Sequence, residues 1–186
     1  MRAIAIAGLC LALGLQSGCA TATSPEAMTI APGGAPSPGA EVAHALSVGA
    51  INGGAATDVL ALSSVDNAAL KDSLRGSLRN LGYLAEDPAA ARYVVSADIV
   101  DLDRPMVAMD PALLLAPIDL SVTVRIRYHL TPARGGAAVF QSVVATTGTA
   151  TANDAITPAG RVRKAEEAAV RMNIASFLGR MNEGMR

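Results

Sequence analysis

The chain has no tryptophan, two phenylalanines and three tyrosines in 186 residues, so Leu, Val, Ile, Met and Ala must fill its core. Cysteine is scarce as well: Cys10 and Cys19 both lie in or at the end of an N-terminal apolar segment. Processing of that segment leaves at most one thiol, which excludes an internal disulfide in the mature chain. Packing must then supply the stability. A basic excess is also missing. The formal net charge is −1, and loss of a leader whose only charged side chain is Arg2 makes it more negative still. A nucleic-acid partner would call for the opposite sign.

The signatures of common enzymes are absent. There is no G-x-S-x-G elbow, P-loop, G-x-G-x-x-G fingerprint or H-E-x-x-H pair. Of the two histidines, His44 lies in or near a proline-rich stretch, and His129 sits on a strand face where a general base would still need an orienting acid and a cleft. With Cys19 modified, no thiol remains as a nucleophile. Asp98, Asp101 and Asp103 invite a calcium reading, but on a regular strand Asp98 and Asp101 point to opposite faces, and no glycine-centred loop accompanies them. They are read as a solvated strand end, with Asp98 offsetting Arg125 or Arg127 across the sheet. The expectation is a protein that is not an enzyme and needs no metal or other cofactor.

What is present begins with Leu120 to Thr131. Leu120, Val122, Val124, Ile126, Tyr128 and Leu130 alternate without a break with Ser121, Thr123, Arg125, Arg127, His129 and Thr131. Such a period-two run is a half-buried strand, and its length makes it the centre of a sheet with one covered face. Arg92 to Leu102 is a second strand with Val95, Ala97 and Ile99 on one side. Pro132 to Gly136 turns the chain back into a further strand at Ala138 to Ala150, and Ala45 to Ile51 alternates ahead of an Asn-Gly turn.

Two helices complete the pattern. Asp66 caps a run with Leu70, Leu74, Leu78 and Leu81 at helical spacing, and Gly82 ends it. Lys71, Arg75 and Arg79 line up one turn apart on that helix and are read as a solvated face rather than as an anion or headgroup site. Thr157-Pro158 opens a second helix, with Val162, Ala165, Ala169, Met172, Ala175, Leu178 and Met181 as its apolar stripe. The order strand, helix, strand, strand, strand, helix predicts an α+β two-layer sandwich: a four-stranded, mainly antiparallel sheet with two helices on one face.

Ahead of the domain, Arg2 is followed by the apolar run Ala3 to Leu15 and then by Gln16-Ser17-Gly18-Cys19. That run is too short to span a bilayer and has the form of a signal peptide. It resembles a bacterial lipoprotein leader, in which a Gly-Cys lipobox ends in the acylated residue; the resemblance implies a signal over residues 1–18 and lipidation, palmitate included, at Cys19. Gln16 departs from the leucine that the pattern prefers. Ordinary cleavage after Ala22, which would release a soluble periplasmic protein, is the alternative. Ala20 after the cysteine resembles the default for the outer membrane. Residues 19–43, with Pro25, Pro32, Pro36 and Pro38, are expected to be a disordered tether, and residues 44–186 the folded domain.

Cys-terminated leader, proline-rich stretch, helix ending in Leu81-Gly82-Tyr83, long alternating hairpin and Ala-rich terminal helix together resemble the small Gram-negative envelope lipoproteins of the YajG and LptE kind. The resemblance is one of layout. It implies a non-enzymatic accessory role in outer-membrane assembly or lipid transport.

The connection from Met106 to Ile118 is unusually apolar for a link between strands. Met106, Met109, Leu113, Leu114, Leu115 and Ile118, with Arg125 and Arg127 on the polar sheet face, are the candidate partner-binding residues. The loop could instead fold back over the sheet. The functional expectation is an adaptor held on the membrane and docking an envelope protein. A carrier of lipid or another apolar ligand is the alternative, and an envelope acyltransferase or hydrolase a third.

Overall fold

A computed structural model describes residues 22–55, 65–104 and 119–186. The leader, Cys19 and the Met106–Ile118 loop lie outside the described residues. The architecture is the α+β sandwich that the periodicities predict. Strands β1 (Leu46–Asn52), β2 (Tyr93–Asp103), β3 (Leu120–Pro132) and β4 (Phe140–Ala150) form one sheet in that order. A short helix α1 (Pro25–Met28) precedes them, α2 (Asn67–Asn80) joins β1 to β2, and α3 (Pro158–Gly184) closes the chain. The sheet is mixed. β2–β3 and β3–β4 are antiparallel, but β1 runs parallel to β2, because α2 carries the chain back to the same end before the second strand starts.

Strand β3 is central, and every apolar residue of its alternation from Leu120 to Leu130 is buried. Helix α2 has the expected termini. Asp66 accepts the Ala69 amide at 2.7 Å, and Gly82, at φ 78°, takes the left-handed turn that lets Tyr83 N donate to Leu78 O at 2.8 Å. Leu70, Leu74 and Leu78 are fully buried under it, each worth roughly 1.5–3 kcal/mol by transfer.

Helix α3 begins at the Thr157 cap as expected, but its buried stripe differs. Val162, Ala165, Ala169, Leu178 and Met181 are inside, whereas Met172 is 42% exposed and Ala175 only partly covered. Repeated steps of three residues fall 60° per step short of a full turn on a 3.6-residue helix, so such a stripe winds off the core. The covered line runs instead through Val170, Asn173, Ile174 and Phe177. Phe177 stacks on Tyr128 with ring centroids 4.1 Å apart. Asn173 accepts the Tyr128 hydroxyl at 3.0 Å and donates to Val144 O at 2.9 Å, so this polar pair is satisfied inside the core.

The larger departure is the proline-rich stretch. From Thr23 to Val42 the chain is a strap packed on the helices, and the expected disordered tether over 19–43 is corrected for its described part. Met28 is 0%, Ile30 3% and Val42 1% exposed, all within the main core. The prolines prevent regular structure but not packing, because side chains of α2 and α3, with Tyr83 beyond the end of α2, satisfy the strap's backbone. Ser24 N donates to Glu167 Oε1 at 3.0 Å, and Ile30 N to Ser77 Oγ at 3.0 Å. Asn80 Nδ2 donates to Ile30 O at 2.9 Å, Tyr83 Oη to Pro36 O at 2.9 Å, and Asn182 Nδ2 to Ser37 O at 3.0 Å. The strap thereby crosses from α3 to α2 and becomes a third member of the helix layer.

Candidate functional site

The face of the sheet turned away from the helices carries the polar half of the β3 alternation. On it Ser121 pairs with Thr149 at 3.1 Å and Thr123 with Thr147 at 2.8 Å, a hydroxyl ladder between β3 and β4. Toward β2 the face becomes charged. Arg125 Nη1 lies 3.7 Å from Asp101 Oδ2, and His129 Nε2 lies 3.4 Å from Asp98 Oδ2. Asn52 Nδ2 donates to Asp98 Oδ1 at 3.0 Å from the edge strand. Arg127 stands in register with Asp98 on one side and Val143 on the other. Val143 is itself exposed, an apolar spot within the ladder.

Two sequence expectations are corrected here. Asp98 and Asp101 share a face, because the register between β2 and β3 shifts at Val100 and the extra residue restores the phase. The partner of Asp98 is His129, with Arg125 taken by Asp101 instead. These pairs are part-exposed, so they set register and surface charge more than stability.

Ser96 is opposite His129 in the β2–β3 register, so a serine, a histidine and an aspartate meet on one face. Sequence spacing alone does not reveal this, since it needs the strand pairing. The ring's Nε2 is turned to Asp98, and no hydrogen bond joins it to Ser96. Among the described residues the three form a polar ladder with no nucleophile–base contact between them.

Arg125 and Arg127 therefore lie, as expected, on the face that no helix covers among the described residues, while Met106, Met109, Leu113, Leu114, Leu115 and Ile118 lie outside the described residues. Arg104, just before their loop, approaches the fully buried Glu166 to 3.6 Å, and Leu120, just after it, packs with Val122, Ala150, Val162 and Ala165 in a second, smaller core cluster. The loop thus joins the sheet at the end where the first turns of α3 cover it.

A second feature lies at the opposite edge. Arg75 and Arg79 of α2 overhang a shallow groove of about 270 Å³, walled by Ser47 and Val48 of β1 and by Leu84 and Glu86. Lys71 continues the basic row one turn earlier and is exposed. Among the described residues no cluster of three or more His, Cys, Asp or Glu side chains is placed to hold a metal ion, and no helix is long and apolar enough to cross a membrane.

No family model matches the chain, and no curated protein matches it. Solved structures do. The fold is similar to that of protein XCC0632 from Xanthomonas campestris, of the DUF330 family. That likeness has a TM-score of 0.55 at 14% identity and covers 89% of this chain and 96% of that one. A candidate lipoprotein from Caulobacter crescentus CB15 is similar at 17% identity and a TM-score of 0.38, over 73% of this chain and 92% of that one. The PelC dodecamer from Paraburkholderia phytofirmans is similar at 19% identity and a TM-score of 0.44, over 80% and 92%. None of these three is YajG or LptE.

Proposed function

We propose that the protein is a lipoprotein acylated at Cys19, held on the periplasmic face of the outer membrane, and acting without catalysis as an adaptor in envelope assembly or transport. The observation that carries this reading is the sheet face that no helix covers among the described residues. Three long strands present the Ser/Thr ladder, Arg125, Arg127 and the exposed Val143 on one side, while the other side is closed by two helices and the strap. A mixed polar surface with an apolar spot, on rigid strands, suits docking of a protein partner. The Met106–Ile118 loop is the second docking element, and the leader ending in Gly18-Cys19 supplies the anchor.

The test is photo-crosslinking in living cells from Val143 and from Leu114, together with palmitate labelling of Cys19. A discrete protein adduct at either position supports the adaptor, and its identification gives the partner. Adducts to lipid alone would replace the adaptor with a carrier. Palmitate incorporation that survives Cys19→Ala would remove the anchor.

A further inference from the structure

We propose that the helix layer is the side of the domain that meets the membrane, and that the Arg75–Arg79 groove seats the phosphate of an anionic lipid headgroup. This rests on the anchoring at Cys19 proposed above.

The length of chain between Cys19 and the folded body fixes the side that meets the membrane. A flexible tether would let the domain adopt any orientation, but the strap removes the slack. Thr23 is already buried and Ser24 is bonded to Glu167 on α3, so four residue steps separate Cys19 from the folded body, about 14 Å when fully extended. The anchor must leave the protein beside the strap, on the helix layer. The sheet's uncovered face, a full layer away, is then directed toward the periplasm, where a partner can reach it.

Charge is distributed differently on the two sides. On the sheet face Arg125 and His129 are paired with carboxylates, Asp101 and Asp98. On α2 the cations are not. Lys71, Arg75 and Arg79 are exposed, and among the described residues none of their three side chains forms an ion pair or hydrogen bond. Arg75 and Arg79, one helical turn apart, converge on the same groove, so their guanidinium groups can fork one phosphate from two sides. Val48 and Leu84, which line the groove, accept the apolar part of a headgroup. Glu86 in the lining sets a limit, favouring a single phosphate over a more heavily charged group. On α3, Arg171 is exposed on the same layer and braces the strap by donating to Ala27 O at 2.8 Å.

The experiment uses the acylated mature protein in vesicles of phosphatidylcholine, with and without phosphatidylglycerol, containing nitroxide-headgroup lipid. A fluorophore is attached through Ala68→Cys on the exposed side of α2 or Ala145→Cys on the uncovered sheet face. The expected result is quenching several-fold stronger at 68 than at 145, enhanced by phosphatidylglycerol and reduced at least about twofold by Arg75→Gln with Arg79→Gln. Equal quenching at the two positions, or stronger quenching at 145, overturns the orientation. Quenching at 68 that ignores both phosphatidylglycerol and the double substitution overturns the headgroup site. Protein that leaves the vesicles in a high-salt wash overturns the acyl anchor itself, and the orientation with it.

Discussion

The Ser24 amide donates to the Glu167 carboxylate at 3.0 Å, a contact that ties the first described turn of the chain to the middle of its last helix. Lys164 Nζ holds the other carboxylate oxygen at 3.1 Å, so Glu167 is a junction between strap and helix. Four residues further along the strap, Met28 is fully buried in the core that α2 and α3 share. The helix layer is therefore incomplete without the strap.

Met28→Ala is expected to destabilise the domain by about 2–5 kcal/mol, the range for a large apolar side chain deleted from a core. A solvated tether predicts no change. Urea denaturation of the mature protein decides between them, with the midpoint shifting and the slope conserved if the fold is otherwise intact.

At the opposite side of α3, the close approach of helix and sheet depends on Gly148. A Cβ there would stand 2.1 Å from Ala165 O and 2.5 Å from Ala169 N, both backbone atoms that cannot rotate aside. Gly148→Ala is expected to push α3 from β4 and cost about 1–3 kcal/mol or more. Thermal unfolding followed by circular dichroism measures it, and Thr147→Ala, exposed beside it on the same strand, is the control expected to change little.

The contrast between these two sites bears on what a sequence shows. Strand β3 was legible because thirteen residues keep one period and one buried face. The ends of α2 and the start of α3 were legible because Asp66, Gly82 and Thr157-Pro158 are local signals, complete within four residues. Gly148 carries no such signal, since its role is set by a helix about 20 residues away. The strap was misread for a related reason. Its prolines report only that no helix or strand forms, while its order comes from Ser77, Asn80, Tyr83 and Asn182, which reach its backbone from other parts of the chain.

On the candidate face the same limit applies at the scale of one residue. Period two placed Arg125, Arg127 and His129 together because β3 is regular. It separated Asp98 from Asp101 because nothing in Ile99-Val100-Asp101 marks the register shift against β3. The Asp98–His129 and Asp101–Arg125 pairs follow from that shift and could only be seen once the strands were paired.

Tyr128 provides a pH-dependent test of the core. Burial pushes its phenol far above the ordinary tyrosine value, and burial likewise raises Tyr83 despite the opposing hydrogen bond from Asn182. A folded-state value above the unfolded one means that this contribution is complete below about pH 10 and is lost as the pH rises beyond it. The native protein is expected to lose stability steeply above that pH. Tyr128→Phe is expected to be less stable at pH 7 by about 1–3 kcal/mol, because Asn173 Oδ1 loses its donor. It should also show a shallower alkaline decline, with Tyr83 accounting for part of the remainder. Denaturant midpoints at pH 7, 9 and 11 test both statements, and an alkaline decline as steep as the native protein's would discount Tyr128 as its source.

The adaptor reading makes a prediction in which stability and function separate. Arg125 and Arg127 lie on a part-exposed surface, and the Arg125–Asp101 pair is about half exposed on each side. Replacing either arginine by Ala is expected to change stability by less than about 1 kcal/mol, as for exposed ion pairs generally. If the face docks a partner, Arg127→Ala should nevertheless weaken the crosslink from Val143, its cross-strand neighbour. A charged side chain beside an interface's apolar centre governs association even where it contributes little to the fold. Loss of the adduct with an unchanged unfolding midpoint would place the partner on this face. An unchanged adduct would move the interface to the Met106–Ile118 loop, and the Leu114 probe would then carry the signal alone.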